Sequence, residues 1–428
     1  MAWTGGVKWV GQLLSWGSTI VVARILTPED YGLVGLATLY MALVTMLSEF
    51  GIGTTVVTLR DLTREQISQI NALAIAFGLS GFLLSCVMAV PLARFFASPE
   101  LALVVIAMSL TFVITSFRTV PQALLQRDLR FKRLALLDGM QTMLLAVSMV
   151  AFALLGLRYW TLVLGALLSA AISTAFIVAS RPHSFARPRS ATLGHAITFS
   201  RQIIFSRLSW YVYSNADFFV AGKVLGKAAL GAYTFAWTVA GAPAEKVTGM
   251  VIRVTPSIFA AVQSDLAALR RYFLKLTEGL ALLTFPAAFG LALVADKLVL
   301  LALGEKWSAM IIPLQLLAFY TSVRSVSPLL HQILAVTGGN RFAMWSNIAA
   351  AVVLPPAFYV GSRWGTPGIA ATWLVAHPLV LLPVYRRVFS RIELAPGAYL
   401  RALWPAVSAS ALMAAAVIGL DRAAPADW

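Results

Sequence analysis

Residues 67–92 read ISQINALAIAFGLSGFLLSCVMAVPL, a run without a charged side chain. At 1.5 Å per residue it is long enough as a helix to cross the roughly 30 Å hydrocarbon layer of a bilayer. A segment this long and this uniformly apolar does not suit a barrel strand, which alternates apolar and polar positions over about ten residues. Helices are therefore the default wherever such runs recur.

They recur almost end to end, giving about thirteen segments of spanning length. Six lie in the first part: Val7–Leu26, Tyr31–Leu59, Ile67–Leu92, Leu101–Leu125, Leu134–Gly156 and Tyr159–Ser180. A polar stretch rich in arginine and proline, Arg181–His195, follows. Six more come after it: Phe199–Leu225, Leu230–Val262, Tyr272–Leu303, Ile311–Val336, Phe342–Ser362 and Ile369–Phe389, with a last one at Ala402–Leu420. Of the 428 residues 60% are hydrophobic and only 12% charged, and mean hydropathy is +0.83. A soluble domain keeps about a quarter of its residues charged, so lipid is the main solvent of this chain.

The net charge of +16 does not point to nucleic acid, because the cations are not gathered on one polar domain. Most occupy short gaps between spans, and every second gap is basic: Arg60 and Arg64, Arg127 to Arg133, Arg181 to Arg189, Arg270 and Arg271, Arg341, and Arg386 to Arg391. This bias predicts a cytoplasmic N-terminus. Lys8 precedes an apolar run without a small-residue cleavage site, which reads as a retained helix and not a signal peptide. The single cysteine, Cys86, rules out intrachain disulfides and thiolate clusters.

The halves match in detail. At an offset of 199 residues Lys8 falls on Arg207, Arg24 on Lys223, Leu26 on Leu225 and Gly32 on Gly231. More loosely, Arg118 and Pro121 match Arg324 and Pro328. Six helices per half in one orientation imply a parallel internal repeat about the membrane normal. The predicted division is a first lobe at 1–180, a cytoplasmic linker at 181–198, a second lobe at 199–390 and an extra C-terminal helix at 391–428.

Several cations lie inside or near spans: Lys8, Arg24, Arg118, Arg207, Lys246, Arg253 and Arg324. A cation at mid-bilayer costs about 2.5–3.5 kcal/mol on insertion scales, so it faces a wet cavity or an anion, or snorkels from a helix end. Lys246, Arg253 and Ser257 share one helical face with Met250 between them, which predicts a cavity wall. Arg24 and Lys223 are equally readable as helix-end markers. Among acids, Asp217 is a candidate for binding a coupling cation, for pairing with Arg207 or for capping a local break. Glu49 and Glu245 are further candidates for coupling or pairing. Trp210, Tyr211, Tyr213 and Trp237 suit sugar stacking and interfacial anchoring alike. Pro121, Pro243, Pro256, Pro286, Pro313 and Pro328 read as kinks or as hinges.

Enzyme signatures are lacking. No His-Glu-x-x-His motif, phosphate loop or loop of paired aspartates occurs, and His183, His195, His331 and His377 are scattered. The pattern predicts a transporter of something anionic, with no metal or organic cofactor and with protons or sodium as open possibilities for coupling.

Particular motifs point to a family. Gly6-Val7-Lys8-Trp9, the run Ala23-Arg24-Ile25-Leu26-Thr27-Pro28-Glu29-Asp30-Tyr31-Gly32, and Glu49-Phe50-Gly51-Ile52-Gly53 resemble the polysaccharide transporter family of Wzx-type flippases. So do Leu125-Gln126-Arg127-Asp128-Leu129-Arg130-Phe131, Asn215-Ala216-Asp217 and Leu225-Gly226 through Leu230-Gly231-Ala232-Tyr233. The resemblance implies an all-α polytopic membrane protein with two six-helix lobes in a V around a central cavity, as in the superfamily that also holds multidrug exporters and lipid II flippases. It implies an undecaprenyl-pyrophosphate-linked oligosaccharide as cargo, for exopolysaccharide, O-antigen or capsule, in the bacterial cytoplasmic membrane beside polymerase and glycosyltransferases. Members carry paired extra helices after the twelfth, so a further one is expected beyond Leu420. Forked hydrogen bonds from arginine suit a pyrophosphate, which makes Arg207, Lys246, Arg253, Arg24, Arg118 and Arg324 the expected head-group ligands. A cation-coupled multidrug exporter and a membrane-embedded glycosyltransferase or polymerase are the alternatives.

Overall fold

The computed structural model describes residues 2–48, 52–58, 62–187 and 208–423. Among these residues there are helices and turns but no strand. Among them eight helical stretches are long and apolar enough to cross a membrane, and the chain is a multi-pass membrane protein. It divides into two compact units, Met1–Leu208 with Gly226–Gly231, and Ser209–Leu225 with Ala232–Trp428.

The first unit contains α1 (Ala2–Ile25), α2 (Pro28–Ser48), the short α3 (Ile52–Thr58), α4 (Arg64–Phe95), α5 (Glu100–Arg127), α6 (Phe131–Leu154) and α7 (Trp160–Ser180). The run Thr27-Pro28-Glu29-Asp30 is a helix start. The Thr27 hydroxyl accepts from the Asp30 amide at 3.3 Å, and Asp30 Oδ2 accepts from the Thr27 amide at 3.1 Å. Proline occupies the first helical position, where its missing N–H costs nothing. Thr63 and Gln66 build the same reciprocal cap on α4. The sequence predicts one span over Tyr31–Leu59. Helices α2 (Pro28–Ser48) and α3 (Ile52–Thr58) are described there, and residues 49–51 between them lie outside the described residues.

Packing inside this unit runs on small side chains. The buried face of α4 carries Ala74, Gly78, Gly81, Ser85 and Ala89, while Leu79, Leu83, Leu84, Val87 and Val90 are exposed. A Cβ at Gly78 would sit 2.6 Å from the Phe112 carbonyl oxygen of α5. This arrangement inverts a water-soluble helix. Lipid solvates the large apolar side chains, and association depends on close backbone approach.

After α7 the segment 181–187 straps across the unit. Ser184 bonds the Ser68 hydroxyl at 2.8 Å, the Ala186 amide donates to the Ser68 carbonyl at 3.2 Å, and Arg181 pairs with Asp128 at 2.9 Å. The strap thus joins the start of α4 to the turn between α5 and α6.

The described part of α8 covers 208–220 and continues into a π-helical turn, Ala221–Leu225. Then come α9 (Lys227–Ala261), α10 (Leu266–Leu293), α11 (Ala295–Ala302), α12 (Ile311–Val336), α13 (Asn340–Gly361), α14 (Gly365–Arg391) and α15 (Pro396–Ala423). The expected span Tyr272–Leu303 is divided at Val294 between α10 and α11. The core of the second unit joins Phe273 and Leu280 of α10, Leu329 and Ile333 of α12, and Val384 and Val388 of α14. The last helix belongs to it, since Tyr399 of α15 stacks on Phe273 at 5.9 Å.

Candidate functional site

Five helices of the second unit line a cavity of about 460 Å³. On α12 the lining residues Tyr320, Arg324, Ser327 and His331 recur at helical spacing and form one polar stripe. Helix α8 contributes Trp210, Tyr213, Ser214, Asn215 and Phe218, α13 contributes Ser346 and Asn347, and α14 contributes Trp373 and His377. Trp237 of α9 completes the wall. Among the described residues no aspartate or glutamate lines this cavity.

Its aromatic rings form a continuous cluster with Trp373 at the centre. Trp373 lies 5.4 Å from Trp237, 5.1 Å from Tyr320, 4.9 Å from Phe358 and 5.3 Å from His377, measured between ring centroids. The Tyr320 hydroxyl and His377 Nδ1 are 3.1 Å apart. Ring contact of this kind fixes the orientation of each face. A cavity with aromatic walls and a few placed polar groups is the usual form of a small-molecule site. Aromatic faces carry partial negative charge and attract the C–H face of a sugar ring, while hydroxyl, amide and imidazole groups meet its hydroxyls.

Among the described residues Arg324 is the only Lys or Arg in the lining. Its guanidinium carbon lies 4.8 Å over the Trp237 ring, and Nη2 donates to Glu245 Oε1 at 2.9 Å. Behind the wall, Asp217 has a relative exposure of 0%. Its Oδ2 accepts from the Tyr233 hydroxyl and from Trp373 Nε1, both at 2.8 Å. Its Oδ1 has no hydrogen-bond partner among the described residues.

The residues singled out in the sequence fall in different places. Arg324 and Glu245 are brought together. Arg118, in the first unit, donates to Gln141 Oε1 at 2.8 Å and to the Ser173 hydroxyl at 3.2 Å, tying α5 to α6 and α7. Arg24 is exposed in the last turn of α1. Lys246 and Arg253 are exposed on α9, form no ion pair among the described residues and do not line the cavity. Arg207 and Glu49 lie outside the described residues. Asp217 takes neutral donors. Pro121, Pro243, Pro256, Pro286 and Pro328 all lie inside helices, and Pro313 lies in the first turn of α12.

Trp373, Tyr320, His377 and Tyr233 are the functional candidates that sequence reasoning misses. The α12 stripe at 320, 324, 327 and 331 and the four-residue spacing of Trp373 and His377 carried the signal.

An all-helical, multi-pass chain with a polar, aromatic cavity inside one unit has the architecture of a membrane transporter. Solved structures agree on the fold. The lipid II flippase MurJ in an inward closed conformation superposes with a TM-score of 0.78 at 11% identity, covering 96% of this chain and 92% of that one. An inward-facing multidrug resistance MATE family transporter gives 0.72 at 16% identity, covering 90% and 96%. The chain belongs to the family described as "Polysaccharide biosynthesis protein", whose pattern matches residues 21–312. It is 26% identical over 370 residues to the lipopolysaccharide biosynthesis protein WzxC of Escherichia coli K12, covering 83% of this chain and 73% of the relative. It is also 26% identical over 404 residues to the succinoglycan biosynthesis transport protein ExoT of Rhizobium meliloti, covering 94% and 80%.

Proposed function

We propose that this protein carries a lipid-linked oligosaccharide across the bacterial cytoplasmic membrane, with its N-terminus inside, for assembly of a surface polysaccharide. Family membership and the transport role printed for ExoT support the reading. The single observation that carries it is the cavity, which among the described residues pairs stacked aromatic faces with one guanidinium and no acid. Such a lining suits a sugar with an anionic attachment, whereas an organic cation, which aromatic faces alone would accept, would meet the Arg324 guanidinium. The sugars enter while the prenyl tail stays in lipid. Deletion of the gene should abolish the polymer and leave its lipid-linked unit trapped in the inner leaflet. Continued polymer output, or robust efflux of a cationic dye from proteoliposomes, contradicts the assignment.

Asp217 is proposed as the coupling carboxylate. It sits directly behind Trp373, with one oxygen unpartnered, so a proton or sodium ion bound there reaches the cavity wall through one hydrogen bond. Asp217→Asn should remove the dependence of transport on an imposed proton or sodium gradient; transport that still follows the gradient excludes this role. The polymerase and glycosyltransferases of the same assembly line are the proposed protein partners.

A further inference from the structure

The Arg324–Glu245 pair has the geometry of an occupied receptor. Trp237, Gly241 and Glu245 recur every four residues along one face of α9, and the Arg324 side chain meets all three. Its guanidinium stacks over Trp237 at 4.8 Å. It passes Gly241, where a Cβ would sit 3.4 Å from Arg324 Nη1 and 2.9 Å from Glu245 Oε1. It ends on Glu245 Oε1 at 2.9 Å. The two partners are not held alike. Arg324 is fixed by the ring beneath it and lines the cavity. Glu245 does not line the cavity, and its side chain is 59% exposed against 36% for Arg324.

An ion pair exposed to this degree contributes little, because water and salt screen it and two side chains are immobilised to form it. A phosphate or carboxylate arriving in the cavity would meet the same guanidinium with no acid among the described lining residues to repel it. The guanidinium needs no rearrangement to accept it, since its stacking on Trp237 is independent of the anion.

We propose that Glu245 is a built-in competing anion: it neutralises Arg324 while the cavity is empty and is displaced by an anionic saccharide, whose ring stacks on the aromatic wall while its negative group takes the place of the carboxylate. The proposal rests on the saccharide reading of this cavity and narrows it to sugars with a charge adjoining the ring. That charge has two sources, a carboxylate on the sugar or the phosphate at its anomeric carbon.

The test measures binding to the full-length protein in nanodiscs at one fixed pH, since His331 and His377 also face the cavity. Glucose 1-phosphate, glucuronate and methyl glucoside are the probes, followed by calorimetry or tryptophan fluorescence. Competition has a distinctive sign. Glu245→Gln should tighten the anionic probe about threefold or more, and Arg324→Gln should weaken it about tenfold, while methyl glucoside responds to neither. Whichever of glucose 1-phosphate and glucuronate shows this pattern identifies the source of the charge. Melting temperatures of both variants, and Arg324→Lys, which keeps the charge without the fork, separate loss of binding from loss of fold. Weaker or unchanged anion binding in Glu245→Gln, an equal change for the neutral glucoside, or no binding of either anion to the wild type and Glu245→Gln overturns the proposal. A protein that shows the sign pattern yet moves no lipid-linked oligosaccharide contradicts the transport reading and leaves this one intact.

Discussion

Gly32 and Gly231 show how much one missing side chain decides. Both belong to the first unit, and a Cβ on either would collide with backbone of the helix that carries the other. A Cβ on Gly32 would overlap the Lys227 carbonyl oxygen, and one on Gly231 would overlap that of Pro28. The obstacles are backbone atoms, which cannot swing aside as a flexible side chain can. Gly32→Ala should therefore destabilise the protein by at least about 1–3 kcal/mol, the range for overpacking a tight contact. Thermal unfolding in detergent measures it, and an unchanged melting temperature would mean that the two segments do not meet as described. The offset of 199 residues that pairs these glycines is legible in the sequence, but their mutual contact is not, because an internal repeat says which positions correspond and not which ones touch. Among the site residues, Trp210, Tyr213 and Trp237 are recognisable as sugar-binding types. Trp373, at the centre of the cluster, is not, since it reaches Trp237 only through the packing of α14 on its neighbours.

At the scale of elements, the helical spans are readable because lipid demands long apolar runs, whereas the interior faces are harder to read. On α4 the buried side is marked by small residues, not by large apolar ones, and hydropathy alone is blind to that difference. Equal helical phase leads to the expectation that Lys246 and Arg253 line a cavity between the halves. Both are on α9 as expected, but the lining of the described cavity from that helix is Trp237. The strap at 181–187 offers a test of a different kind. Burial, reinforced by the charges of Arg181 and Arg64, holds the His183 imidazole below its ordinary pKa. The fold thus favours the neutral ring, so this contribution is present above the unfolded value of about 6.5 and is lost as pH falls toward the depressed folded value. The protection of amides in 181–187, measured against the intrinsic exchange rate at each pH, should fall on acidification below about pH 6.5, and His183→Gln should flatten that response. A pH-independent strap in the wild type contradicts the account.

For the whole molecule, membership of a polysaccharide biosynthesis family and a fold shared with lipid and drug transporters leave the choice of cargo to the lining of the cavity. Among the described residues that lining is aromatic and polar, with Arg324 its only Lys or Arg and no carboxylate. Unlike an acidic drug site, it is suited to rings bearing hydroxyls and an adjoining negative charge. The most direct measurement places the purified protein in liposomes with a fluorescent undecaprenyl-pyrophosphate-linked oligosaccharide and follows its passage between leaflets by quenching from outside. Protein-dependent passage that Arg324→Gln slows about tenfold or more is the predicted result. Passage no faster than in protein-free liposomes would contradict the account.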